Sequence, residues 1–184
     1  MNKKTVIKKL NDQIRNCRKC PLWRTRNNVV PGEGAVDAKI MFIGEAPGKE
    51  EDKTGRPFCG RAGKLLSELL KKNKINREEV FITSVIKCRP PKNRQPETNE
   101  LKACQDWWEK QIEIINPKKI VILGRVAFNI TINLKELKNF RGKWLKINSR
   151  FYFPTYHPAA GLRFPKIKTI LKKDFRKIKK HPKQ

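Results

Sequence analysis

Three short apolar runs constrain this chain more than anything else in it. Ile40-Met41-Phe42-Ile43, Val80–Ile86 (VFITSVI) and Ile120-Val121-Ile122-Leu123 are too brief for helices, rich in β-branched residues, and closed by glycine or proline. Each reads as a buried strand. Helical patterns lie between and around them. Val6, Leu10 and Ile14 recur at a spacing of four within residues 5–16, and Leu65, Leu66, Leu69 and Leu70 face away from lysines in a helix from about Gly63. Pro96-Glu97-Thr98 opens a long helix whose stripe is Leu101, Cys104, Trp108, Ile112 and Ile115, ended by Pro117. Its early acidic residues suit the positive end of the helix dipole. Gly124 leads into a short helix through Ala127, and Trp144–Ile147 with Phe151–Phe153 reads as a hairpin about Asn148-Ser149-Arg150, its second strand running out at Tyr156–Ala160. From Pro165 a final basic helix carries Ile167, Leu171, Phe175 and Ile178 inward, and the tail around His181-Pro182 is expected to fray. Strands alternating with helices predict one α/β domain over residues 1–184. Its expected centre is a mostly parallel, four-stranded sheet with helices on both faces.

In such a sheet, ligands bind in the crevice beyond the carboxyl ends of the strands. Three polar segments converge there: the turn at 44–58, Lys87–Arg94 and Tyr156–Arg163. The first holds Gly44-Glu45-Ala46-Pro47-Gly48, then Glu50, Glu51 and Asp52, then Phe58 among the turn formers Gly55, Pro57 and Gly60. A turn of this kind can aim backbone N–H groups at an electron-rich atom. Strand, glycine turn and helix together are also ordinary α/β architecture, so this pattern alone names no chemistry. Gly48-Lys49 is not a phosphate-binding P-loop, because Glu50 stands where the hydroxyl residue is needed.

The formal net charge of +27 favours a polyanionic partner, nucleic acid first, through counterion release. A lysine-rich proteome explains part of that excess, since Asn and Ile are abundant beside Lys. No apolar leader or membrane-length run is visible, so a soluble, intracellular, cytoplasmic protein is expected, at the nucleoid in a prokaryote. Cysteines in that compartment are metal ligands or free thiols before they are disulfides. Cys17 and Cys20 form a C-x-x-C pair, and Cys88 and Cys104 can complete a set of four. Zinc and an iron–sulfur cluster both accept four cysteines. A zinc ribbon shows two C-x-x-C knuckles where this chain has one, which favours [4Fe–4S]. Cys104 also fits as simple core on its helix stripe, and Cys59 reads as a small residue in the pocket wall.

CRKCPLW, the PGEG connector, GEAPGKEEDKTGRPF followed by GRAG, IKCRPPKNRQP, the helix with Cys104 and Trp107-Trp108, VILG and HPAA occur in one order across nearly the whole chain. Together they resemble the family 4 uracil-DNA glycosylases, the iron–sulfur branch of their superfamily. The resemblance implies a three-layer α/β/α fold, a [4Fe–4S] cluster on Cys17, Cys20, Cys88 and Cys104, and excision of uracil from single- or double-stranded DNA. It implies a base flipped into a pocket formed by Gly44, Glu45, Ala46, Phe58, Ser84 and His157, with Phe58 stacked on the pyrimidine and His157 donating to uracil O2. Where a better-known branch has an aspartate to serve the attacking water, this chain has Ala46. Glu51, steadied by Asn93, is the first candidate for that task and Glu45 the second. Lys87, Arg89, Lys92, Arg94 and Arg163 are expected to meet the DNA backbone.

Two departures stand out. Ser84 replaces the usual asparagine that reads the uracil edge, and Gly161 replaces the usual wedge leucine, with Leu162 as the residue to fill the gap. Two further readings follow: a glycosylase of altered or broadened base preference, and a DNA-binding iron–sulfur protein without catalysis. Retention of Glu51, Phe58, Asn93 and His157 speaks against the second. No basic insertion follows Gly63, so turnover is expected rather than covalent trapping. A monomer is expected, and a sliding clamp is a candidate partner on which the sequence is silent.

Overall fold

A computed structural model of the chain describes residues 2–179, so the tail around His181-Pro182 lies outside the described residues. In chain order the elements are α1 (Lys3–Arg15), β1 (Glu33–Gly34), β2 (Ile40–Gly44), α2 (Lys49–Thr54), α3 (Arg61–Lys72), β3 (Phe81–Ser84) and α4 (Thr98–Ile115). There follow β4 (Lys119–Leu123), α5 (Arg125–Ile132), α6 (Leu137–Phe140), β5 (Leu145–Ile147), β6 (Arg150–Thr155), α7 (Pro158–Arg163) and α8 (Pro165–Ile178). The sheet runs β1-β3-β2-β4-β6-β5. Its inner four strands are parallel, and β1 and β5 add antiparallel edges. The sheet therefore has six strands, where four were expected. Two-residue β1 comes from the PGEG connector, and no periodicity can announce a strand so short.

The apolar runs become strands because both faces of each have a partner to bury against. Met41, Ile43, Ile120 and Ile122 pack under α1, α4 and α5, whereas Phe42, Val121 and Leu123 pack under α3 and α8. That alternation is the period of two that a strand imposes on its side chains. Each fully buried Ile, Leu or Phe contributes about 1.5–3 kcal/mol relative to exposure. The amphipathic stripes of α4 and α8 complete the two outer layers, giving the three-layer α/β/α class.

Local chemistry places the ends of the elements. Gly34, at φ +128°, passes so close to β3 that a Cβ there would lie 1.9 Å from the Val80 carbonyl oxygen. VFITSVI stops being a strand at Ser84, because Val85 and Ile86 turn their N–H groups onto the carbonyls of Gly44 and Glu45 at 3.0 Å. That exchange ties the pocket turn after β2 to the segment after β3. Tyr156–Ala160 does not simply run out as coil: Pro158, preset for a first helical turn, opens α7. No helix among the described residues is long and apolar enough to cross a membrane.

Candidate active site

Beyond the carboxyl ends of β2 and β3 lies a pocket of about 440 Å³ lined by Glu45, Ala46, Glu51, Phe58, Ser84, Asn93, Arg94, His157, Arg163 and Phe164, among others. Phe58 and His157 are neighbours in it, with ring centroids 5.5 Å apart and planes tilted by 31°. Gly44 lets the phenyl ring lie on the end of β2, since a Cβ there would come 2.6 Å from Phe58 Cζ. Phe58 itself has a left-handed backbone, φ +50°, and only a glycine at 63 clears its carbonyl. A bulky residue in that conformation costs on the order of 1–3 kcal/mol, so the surrounding structure must hold it there.

His157 caps the start of α7, and its Nδ1 accepts the Ala159 N–H at 3.1 Å. Nδ1 is thereby an acceptor, which assigns the proton of the neutral ring to Nε2. Burial pushes the imidazole pKa down to about 4, only partly opposed by the negative charge of Glu51. The ring is therefore a neutral N–H donor at physiological pH.

Glu51 is fixed by the backbone. One carboxylate oxygen accepts the Gly48 N–H at 3.1 Å and the other the Gly60 N–H at 2.8 Å. The expected support from Asn93 is replaced by these two bonds, and Asn93 Oδ1 instead accepts from Arg89 Nε at 2.8 Å. Lys92 and Asn93 both sit at positive φ, a tight corner that turns Asn93 toward the pocket. Burial holds the Glu45 carboxyl above the usual carboxylate range, with Arg125 opposing.

The expected DNA contacts divide. Lys92 and Arg163 are exposed and Arg89 is half-buried. Arg94 lines the pocket but also clamps Glu100, at 2.6 and 2.8 Å, and Glu97 at 3.2 Å, so much of its charge is matched within the fold. Lys87 is a correction. It is 1% exposed, and its Nζ donates to Thr83 Oγ1, the Ser84 carbonyl and Gln111 Oε1. It lies beneath the pocket and cannot reach a phosphate; burial brings its pKa down to about 7. The turn after Ser84 rotates it inward, which strand alternation alone does not reveal. Leu162 is exposed but does not line the pocket, and Gly161 beside it is buried. Cys59 contacts Thr54 at 3.2 Å and also lies outside the pocket lining.

Cys17, Cys20, Cys88 and Cys104 converge on one small, separate cavity with Trp23, Arg26 and Trp107. No three His, Cys, Asp or Glu side chains among the described residues are close enough to hold a single ion. The four cysteines would each supply one thiolate to an iron–sulfur cluster, and all four line this one cavity. The surroundings suit thiolates: Arg26 Nη1 donates to Cys88 Sγ at 3.0 Å and Trp107 Nε1 to Cys17 Sγ at 3.3 Å. Burial pushes the Cys104 thiol up to about 12 and raises those of Cys20 and Cys88, so bound cation is what would hold them deprotonated. Arg26 and Phe164 are the residues that motif reading passed over; each is a single side chain in a polar stretch with no periodic signal.

Residues 31–179 match the model of the uracil DNA glycosylase superfamily. A type-4 uracil-DNA glycosylase of Sulfurisphaera tokodaii is 48% identical over 183 residues, covering 94% of this chain and 83% of the relative. That of Saccharolobus solfataricus is 48% identical over 180 residues, with 91% and 82% covered. That of Thermotoga maritima is 45% identical over 177 residues, with 92% and 91% covered. With its pocket, its convergent cysteines and these likenesses along most of its length, the chain belongs to the type-4 branch of the uracil-DNA glycosylase superfamily.

Proposed function

We propose that this protein excises uracil from DNA, single- or double-stranded, by hydrolysing the bond between base and deoxyribose. The observation that carries the reading is Phe58 and His157 sharing one pocket at 5.5 Å. A uracil swung out of the stack lies against the phenyl face, with His157 Nε2–H at its O2. As the C1′–N1 bond breaks, its electron pair leaves with the base, and the neutral imidazole donates a hydrogen bond to the forming anion. A neutral donor suits this step, because it strengthens as charge builds and asks for no protonated histidine. The sugar is left cationic; water adds at C1′ and gives its proton to a carboxylate.

Glu51 is the carboxylate we assign to that water. Its two backbone bonds fix its orientation, and each oxygen keeps a lone pair free. Glu45 stabilises the sugar cation and is the second choice for the base. Cys17, Cys20, Cys88 and Cys104 would hold a [4Fe–4S] cluster, with ligands from the N-terminal segment, the loop after β3 and α4, and it would supply reversible one-electron chemistry when bound. Ser84 favours a second reading: a hydroxyl rotates to donate or accept, so it discriminates the uracil edge less sharply than an amide and admits other deaminated bases.

Oligonucleotides carrying one uracil, treated with the protein and then cleaved at abasic sites, test the function directly. Wild-type protein should cut at uracil, and His157→Ala and Phe58→Ala should each lose about 10²-fold or more in single-turnover rate. Glu51→Gln should lose the chemical step and also melt earlier, because an amide cannot accept from both Gly48 and Gly60. Glu45→Gln should slow the reaction without changing melting. Near-full activity in Glu51→Gln would transfer the water to Glu45.

A further inference from the structure

Three large apolar side chains are exposed among the described residues: Leu134, Leu162 and Phe164. Phe164 is the most exposed, at 56%, and alone of the three it lines the pocket. We propose that Phe164 is the side chain that enters the base stack beside the extruded nucleotide and keeps the duplex open, a positioning residue for the flipped state. The proposal rests on the base-flipping reading above.

Backbone geometry fixes where the ring stands. Phe164 belongs to neither helix: it is the C-cap of α7 and the N-cap of α8, with φ −125° and ψ 110°. Its N–H donates to the Ala160 carbonyl at 2.9 Å, and its own carbonyl accepts from Ile167 at 3.0 Å and Lys168 at 3.1 Å. Pro165 follows and allows the corner no slack. The phenyl group is thus held at a rigid bend between two helices, one helical segment away from His157. Its immediate neighbours are cationic, with Arg163 beside it and Lys166 and Lys168 on the next turn. An aromatic in water amid such charges suits a partner with both phosphates and stackable faces. Apolar wedges of this type unstack a base step, and aromatics stack on bases whatever the sequence.

The neighbouring candidates do not fit the task. Gly161 is buried, and a Cβ there would meet Leu171 Cδ1 at 2.8 Å and Leu65 Cδ2 at 3.2 Å. A side chain at 161 therefore points into the core and has no route to DNA. Leu162 is 39% exposed but stands away from the pocket lining. A protein-docking role for Phe164 is less well matched, since its sequence neighbours Arg163, Lys166 and Lys168 are cationic.

The test uses the full-length protein and DNA with uracil in a duplex, opposite adenine, or in a single strand, and 2-aminopurine next to uracil to report unstacking. Phe164→Ala should lose 10- to 100-fold in kcat/KM on the duplex and less than threefold on the single strand, with the 2-aminopurine signal lost and melting unchanged. Phe164→Trp should restore both the duplex rate and the signal. Equal losses on both substrates, no loss on the duplex, or a duplex-selective loss in Leu162→Ala would each overturn the assignment. Wild-type protein that unstacks 2-aminopurine in a Phe164-dependent way yet releases no uracil would sustain the wedge and overturn the proposed function.

Discussion

His157 shows how one side chain's surroundings set its role. Its unfolded pKa is the ordinary 6.5 and its folded value is about 4. Between those pH values the unfolded chain takes up a proton that the folded one refuses. The residue therefore costs stability progressively as pH falls from 6.5 toward 4 and costs nothing above that window. Substitution by glutamine should flatten this part of the melting-temperature profile. For activity, the neutral donor persists to well below pH 6.5, so the acid limb of the rate profile should show no inflection at histidine's usual position. An inflection near 6.5 that disappears in His157→Asn would mean that the charged imidazole acts. Glu45 moves the other way: burial disfavours its anion, so loss of its charge should contribute to the acid limb above the ordinary carboxylate range.

Among the elements, α7 is where sequence and structure diverge most usefully. HPAA was legible as a motif, but its helix was not, because six residues with a proline and a glycine give no periodicity to read. Longer elements were plain: the stripes of α4 and α8 and the parallel runs of β2 and β4 lie where their apolar spacing puts them. What the spacing could not show was direction after a turn. Lys87 follows a strand yet points inward, and Arg94 and Asn93 find partners, Glu100 and Arg89, through a corner with two left-handed residues. Packing on α7 carries a prediction of its own. Gly161 faces Leu171 and Leu65, both almost fully buried, so restoring leucine there forces four carbons into a filled space. Overpacking of this kind costs roughly 1–3 kcal/mol, partly offset by up to about 1 kcal/mol of regained helix propensity. Gly161→Leu should therefore lower the melting temperature by several degrees, at about 2–4 °C per kcal/mol in a chain of this size. An unchanged or higher melting temperature would show that the α7–α8 seam has room, and would reopen position 161 as a DNA contact.

At the scale of the molecule, the +27 charge is the largest single property, yet its location matters more than its size. Part of it is consumed within the fold: Lys87 beneath the pocket, Arg94 on Glu100, Arg141 on buried Asp174 at 2.7 and 2.8 Å, and Arg77 and Arg56 on Glu33. None of these charges is fully available for exchange with DNA counterions. Lys92 and Arg163 are exposed; Arg163 lines the pocket, and Lys92 precedes Asn93, which also lines it. Each phosphate neutralised by a cation contributes about 0.9 to the steepness of log K against log salt on duplex DNA. Lys92→Gln and Arg163→Gln should each flatten that slope by about 0.9, roughly additively, while binding weakens uniformly across sequences. Lys87→Met and Arg94→Gln should leave the slope within error and register in thermal melting, because they break internal partners. Slopes read from equilibrium titrations over a range of salt separate the two groups. If Lys87→Met flattens the slope as much as Lys92→Gln does, the buried network that joins Lys87 to Thr83, Ser84 and Gln111 opens on DNA.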